Sequence, residues 1–147
     1  MSKDDEKVVS LTQRRMEEFW GKPISIYTRA QALADGVLVD LTDTARNYGF
    51  KIPFSCTEAV WQSLDWPAGH KPGGGQSTAG RVHDVLVIAR LAANGAARAG
   101  ASVADFDVLM VPTRGQSVEP EAVRLRLMVS AGDNGEPVLT LMYPGED

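Results

Sequence analysis

Strict alternation of apolar and polar positions predicts a β-hairpin in the last third of the chain. Val123, Leu125, Leu127 and Val129 alternate with Arg124, Arg126 and Met128. A period of two residues is that of a strand with one buried face. Asp133, Asn134 and Gly135 can supply the positive φ angles of a tight turn. Residues 138–143 are predicted to return as the second strand, and residues 106–111 form a further predicted strand.

A helical pattern covers residues 81–98. Apolar side chains recur there at three- and four-residue spacing, at Val82, Val85, Leu86, Ala89, Ala92, Ala93 and Ala96. This spacing places them on one face, and the alanines would let the helix lie close to a sheet. The polar residues of the segment fall elsewhere on the helix and are expected to stay in solvent: Arg81, Asp84, Arg90 and Asn94.

The first half of the chain has shorter elements, each with its own start and stop signals. Hydroxyl and carboxylate side chains stand where helices are predicted to begin, and glycines stand where they are predicted to end. The predicted elements are a helix over 11–20, a strand at 24–27, a helix over 29–34 capped by Thr28 and stopped by Gly36, a strand at 37–41, a short helix capped by Thr42 or Asp43 and ended at Gly49, a strand at 51–54, and a helix capped by Thr57.

Together these elements predict an α+β fold in a single compact domain. The long helix is expected to pack on a mostly antiparallel sheet with a C-terminal β-hairpin. The sheet should also include residues 106–111 and at least one strand from residues 24–41. Residues 1–9 are expected to be a disordered tail and residues 10–147 one domain. Within it, residues 65–80 contain prolines and three consecutive glycines, which predicts a flexible loop.

Length and charge narrow the class of protein. A chain of 147 residues can bury a core without metal or disulfides. A net charge of −4 gives no support to general phosphate binding, so nucleic acid is an unlikely partner, although Arg14, Arg15 and Lys22 could form a local basic patch. No apolar run of roughly 20 residues and no signal peptide is present, so no membrane contact is expected and the cytoplasm is the expected compartment.

Candidate catalytic and metal-binding residues are few. Cys56 precedes a predicted helix, where the helix dipole could favour a thiolate, and His70 or His83 could act as its base. Neither histidine has a diagnostic spacing, so a small buried hydrophobe is the favoured interpretation of Cys56. A lone cysteine and two histidines predict no metal site. The glycines at 73–75 lack the Lys-Ser/Thr of a P-loop, and no cofactor is predicted.

Two surfaces are candidates for binding. If Leu125 and its alternating neighbours face the long helix, five residues of the hairpin share the outer face: Arg124, Arg126, Met128, Thr140 and Met142. Arginine and methionine on an exposed face would suit a protein partner or self-association. A solvated sheet face is nevertheless the favoured interpretation of this pattern. The second surface is the 65–80 loop, through Trp66, His70 and Lys71.

The order of several segments resembles an uncharacterised family of short bacterial, plasmid and phage proteins. The segments are YTRAQALADGVLVDLTDTARNYGF from Tyr27, AVWQ from Ala59, RVHDVLVIAR from Arg81 and GEPVLTLMYPGED from Gly135. The resemblance implies a one-domain protein of the kind carried by mobile elements. With no catalytic set in view, our leading hypothesis is an accessory or counter-defence factor that binds a host protein. The alternative is a small cysteine-dependent hydrolase or nucleotide-modifying enzyme closed by the 65–80 loop.

Overall fold

A computed structural model of the protein describes residues 27–70 and 74–146. The helices and strands of these residues are, in chain order, α1 Arg29–Ala34, β1 Leu38–Asp40, α2 Thr42–Arg46, β2 Phe54–Thr57, α3 Glu58–Leu64, α4 Thr78–Arg98, β3 Val103–Met110, β4 Glu121–Ala131 and β5 Pro137–Met142. The predicted tail at 1–9, the predicted helix over 11–20 and all but the last residue of the predicted strand at 24–27 lie outside the described residues.

The strands form one sheet in the order β1-β2-β5-β4-β3. Neighbouring strands are antiparallel except for β2 and β5, which run parallel. The predicted α+β class and mostly antiparallel sheet are therefore confirmed. The C-terminal hairpin lies beside β2, so the sheet joins the two halves of the chain at its centre.

Helix α4 covers one face of the sheet. Burial along β3 alternates strictly, with Phe106 and Val108 in the core and Asp105 and Asp107 exposed. Ala89 of α4 is fully buried in the same core cluster. Its small side chain lets the helix approach the sheet closely. The alternation predicted for β4 and the helical spacing predicted for α4 therefore describe two sides of one core.

The hairpin turn fixes helix α1 as well as the two strands it joins. The Asp133 carboxylate accepts hydrogen bonds from the backbone amides of Arg29 at 2.7 Å and Ala30 at 3.0 Å. These are among the amides that a helix start leaves unpaired. Thr28 caps the same helix as predicted, and the Gln31 side chain completes a capping box. Residues about a hundred positions apart in sequence therefore share one helix cap.

Two predicted boundaries are wrong for identifiable reasons. The strand expected at 51–54 is observed as β2, three residues later, so Cys56 lies within this strand and just before helix α3. Pro53 has no amide hydrogen to donate, and only its carbonyl joins the sheet, accepting from the amide of Leu139 at 2.8 Å. Leu41 occupies the N-cap position of helix α2 without a side-chain capping bond, so neither Thr42 nor Asp43 is the cap. The Thr42 hydroxyl instead donates to the Asp40 carboxylate at 2.6 Å.

Candidate functional site: the free edge of strand β3

Strand β3 is hydrogen-bonded on one side only. In the antiparallel ladder with β4, the amide of Val129 donates to the carbonyl of Ser102 at 2.9 Å. Partners alternate along such a ladder, so the even-numbered residues of β3 exchange hydrogen bonds with β4. The odd-numbered residues direct their N–H and C=O groups away from the sheet: Val103, Asp105, Asp107 and Leu109. Among residues 27–70 and 74–146, these groups have no hydrogen-bond partner.

A groove runs between this free edge and helix α4. Its volume is about 370 Å³, and it is lined by His83, Asp84, Val87, Ile88, Asp107, Val108 and Leu109. Leu109 is 67% exposed, and Leu91, one turn beyond Val87 on α4, is also 67% exposed. An open row of backbone groups therefore lies beside an apolar helix face.

Carboxylates give this edge its charge. Asp105 accepts two hydrogen bonds from the Arg126 guanidinium, at 2.8 and 3.0 Å, and Asp107 accepts one from Arg124 at 3.2 Å. The hydrogen bond from Arg126 lowers the pKa of Asp105 below its ordinary value. Asp105 therefore stays ionised to more acidic pH, and the β3 edge presents its carboxylate paired with Arg126.

The predicted outer-face residues do come together on one face. The register pairs Arg126 with Met142 and Met128 with Thr140, while Arg124 lies opposite Asp107 on the neighbouring strand. All five point away from α4, as predicted.

The exposure of that outer face differs from the expectation. Met142 is only 6% exposed, and Thr140 and Met128 are half-buried. Both arginines are paired with aspartates of β3. The expected open Arg/Met face is therefore largely buried where it includes residues of β5. Of the five predicted outer-face residues, Arg124 is the exposed one. Whether these residues bind a partner stays a prediction.

The described part of the 65–80 loop packs around one tryptophan. The Trp66 and His70 rings meet edge to face at 4.7 Å, and the Trp66 indole N–H donates to the His70 carbonyl at 3.2 Å. The His70 Nε2 lies 3.4 Å from the Pro112 carbonyl. Trp66 and His70 thus contact each other and the rest of the domain, and a binding role of this loop stays a prediction. Lys71 lies outside the described residues.

Arg81 corrects the expectation that its side chain stays in solvent. It is only 4% exposed, and its guanidinium donates to the Ser63 carbonyl at 2.7 and 3.1 Å and to the Gln76 side chain at 2.9 Å. It also lies 5.0 Å from the centre of the Trp66 ring. Burial lowers the pKa of Arg81, and the nearby charge of Asp84 opposes that shift. The Ser63 carbonyl lies at the C-terminal end of α3, where the helix dipole favours a cation. Arg81, which belongs to α4, therefore links the two helices.

Cys56 does not have the surroundings of a nucleophile. Its side chain is fully buried on the core face of β2, and burial, with a smaller effect of the Glu146 charge, raises the pKa of the thiol to about 12. Its two candidate bases are engaged elsewhere, since His83 hydrogen-bonds Tyr48 at 2.7 Å and His70 contacts Trp66. A thiol that stays protonated at neutral pH is a poor nucleophile. The inert interpretation of Cys56 is therefore the better one.

Other site chemistry is not prominent in the described residues. No group of three or more His, Cys, Asp or Glu side chains could hold a metal ion there. None of the helices in the same ranges has the length and apolarity needed to cross a bilayer. The β3 edge is thus the feature of this part of the chain with the clearest capacity to bind another molecule.

The residues of this edge are not among the binding residues predicted from the sequence. In the sequence, Asp105 and Asp107 alternate with Phe106 and Val108 in the manner of a strand with one exposed face. That alternation was the available signal for a solvated face. The position of β3 at the end of the sheet depends on strand order, which no local pattern encodes.

The fold and the site define a small α+β protein with a long open strand edge. The chain belongs to a family of unknown function (DUF6573), which matches residues 16–147. Comparison with curated proteins gave no match, and neither did comparison with solved structures.

Proposed function

We propose that this protein acts by binding another protein, and that an extended segment of the partner pairs with β3 as an additional strand of the sheet. The observation that carries the proposal is the free edge of β3, an eight-residue strand with its outward backbone groups unpaired in the described structure. Such an edge is a template for strand addition, in which main-chain hydrogen bonds supply affinity.

The groove beside the edge supports this mode of binding. A strand added next to β3 would place alternate side chains toward α4, where Val87 and Leu91 are exposed. Burying apolar surface adds free energy to the backbone pairing, at roughly 25 cal/mol per Å². The edge and the helix face therefore act as one surface, which we call the β3 groove: Val103, Asp105, Asp107 and Leu109 with His83, Asp84, Val87, Ile88 and Leu91.

Of the predicted outer-face residues, Arg124 would lie at the margin of the proposed binding surface. Arg124 is exposed and lies one strand inward from the free edge, paired with Asp107. A host protein as the partner, and a counter-defence role on a mobile element, rest on the family resemblance and stay predictions.

Proline at position 107 tests strand addition directly. The amide of Asp107 points away from β4, so Asp107→Pro removes an outward donor without removing a ladder hydrogen bond. Asp107→Ala is the matched control, because it removes the same carboxylate and keeps the amide. Unfolding curves should show that both variants are folded.

The readout is affinity capture from a bacterial lysate with the full chain as bait, followed by mass spectrometry. The proposal expects at least one protein that wild type and Asp107→Ala retain and that Asp107→Pro loses, by roughly tenfold or more. Equal recovery on all three baits, or no retained protein, would overturn strand addition at β3.

A further inference from the structure

The outward face of β3 carries charge at the two positions that an added strand would meet. Asp105 and Asp107 lie two residues apart, so their side chains share the sheet face opposite α4. Directly opposed residues of neighbouring strands have Cβ atoms about 5 Å apart, which is within ion-pair reach for long side chains. Residues of the partner that lie opposite Asp105 and Asp107 would therefore interact electrostatically with these two carboxylates.

The other face of an added strand meets different chemistry. On the α4 side the β3 groove presents Val87 and Ile88, and Leu91 continues it along the helix. Asp84 also lines this groove. A strand that fits both faces must alternate, with one kind of residue for the acids and another for the aliphatic helix face.

We infer that the segment accepted at the β3 groove is cationic on one face and aliphatic on the other, with lysine or arginine opposite Asp105 and Asp107 and with valine-like residues against α4. This inference rests on the strand addition proposed above and names the class of partner that it selects. It goes beyond the backbone pairing, because the open amides and carbonyls of β3 alone would accept a strand of any charge.

The arginines of β4 do not cancel this preference. Arg124 and Arg126 lie on the far side of β3 from the free edge, where they pair with Asp107 and Asp105. The guanidinium groups lie 3.2 and 2.8 Å from these carboxylates on the β4 side, so a cation on an added strand would approach each carboxylate from the opposite side and lie nearer to it than to its arginine. Attraction to the aspartates therefore exceeds repulsion by the arginines.

A second copy of this chain is a poor occupant for the same reason. Antiparallel pairing of two β3 edges centred on Phe106 would set Asp105 of one copy against Asp107 of the other, twice. Centring the pair on Asp105 or on Asp107 would oppose that residue to itself. Like charges directly opposite each other destabilise a strand pair. The aspartates thus oppose self-pairing and favour a basic partner.

Synthetic ten-residue peptides provide the test, with binding to the full chain measured by fluorescence anisotropy. One peptide alternates lysine and valine, and a second alternates glutamate and valine. A third has the sequence of the first, with N-methyl groups on the amides that would face β3. The inference expects the lysine peptide to bind about tenfold more tightly than the glutamate peptide. The preference should shrink with added salt. N-methylation should abolish binding, because the charge is kept and the strand hydrogen bonds are lost.

Variants separate the inference from the function on which it rests. The double substitution Asp105→Asn, Asp107→Asn should keep peptide binding and lose the lysine preference, whereas Asp107→Pro should lose all binding. Equal binding of lysine and glutamate peptides by wild type, with loss in Asp107→Pro, would overturn the charge inference and leave strand addition standing. Absence of peptide binding, or binding that survives both N-methylation and Asp107→Pro, would overturn both. Concentration-dependent dimers of wild type, lost in Asp107→Pro, would make a second copy the occupant and overturn the inference.

Discussion

The two edges of the sheet are built differently. Strand β1 has three residues, and the hydrogen bonds at its two ends run inward along the β1–β2 ladder: the Leu41 amide donates to the Phe54 carbonyl at 2.8 Å, and the Glu58 amide donates to the Val37 carbonyl at 3.0 Å. Strand β3 has eight residues and open backbone groups along its outer side. A short edge offers little to a foreign strand, whereas a long edge must be guarded by charge or used for binding. Strand length therefore decides which edge of this sheet can serve as an interface.

Hydrogen exchange offers the largest effect and tests whether the β3 edge is open. The amides of Phe106 and Val108, which bond to β4, should exchange through opening of the whole fold. The amides of Asp105 and Asp107 should exchange at least about a thousandfold faster, since they bond to nothing in the described structure. Protection factors measured by NMR check this residue by residue.

Strand β4 is the control for that measurement. It is paired on both sides, so its successive amides at Leu125, Arg126 and Leu127 should show no such alternation. Strong protection of Asp105 and Asp107 in the isolated protein would mean that the edge is covered.

Core substitutions should rank the two edges by their contribution to stability. Phe106 is buried beneath α4, whereas Val39 is the half-buried anchor of β1. Phe106→Ala should lower the free energy of unfolding by about 3–5 kcal/mol. Val39→Ala should lower it by roughly 1 kcal/mol, because fewer buried methyl groups are lost. Urea titration gives both values, and similar losses at the two sites would refute the ranking.

The Cys56 thiol reports opening at the β1 edge. Cys56 pairs with Val39 in the β1–β2 ladder, is fully buried and has a thiol pKa raised to about 12 by burial. A thiol reagent should therefore label the native protein only through opening. Val39→Ala should speed labelling about fivefold if β1 opens alone. Asp107→Ala, at the other edge, should leave the rate unchanged, and immediate labelling of folded wild type would contradict the burial of Cys56.

The smallest expected effect concerns pH at β1. Hydrogen bonds from the Thr42 hydroxyl and backbone lower the pKa of Asp40. A depressed carboxyl pKa stabilises the fold above the pKa of the unfolded chain, and this contribution is lost as pH falls through the folded pKa. Asp40→Asn should cost less than about 1 kcal/mol at neutral pH, and the difference from wild type should vanish in acid. Glu119→Gln, in the exposed β3–β4 loop, is the control, and a gap that persists in acid would refute this role.

Local patterns predicted most of the elements. Alternation identified β4 and the core spacing identified α4, because each pattern records the burial of one face. Thr28 and Thr57 were correctly predicted as caps, since capping needs only neighbours in sequence. The candidate site was less accessible, because an open edge exists only once the strand order is known. Likewise, Arg81 is buried by Trp66 and Ser63, which local helical spacing cannot anticipate.

The parallel pairing of β2 with β5 has a consequence for how the protein is made. Phe54 lies beside Leu139, so the centre of the sheet joins segments from the early and late parts of the chain. During synthesis β2 has no partner on this side until β5 has been made, so the backbone groups along this edge of β2 stay unpaired until then. A messenger truncated before the codon for Pro137 would therefore yield a chain whose two groups of strands have lost the strand between them. Completion of the sheet thus requires translation to continue through the codon for Met142.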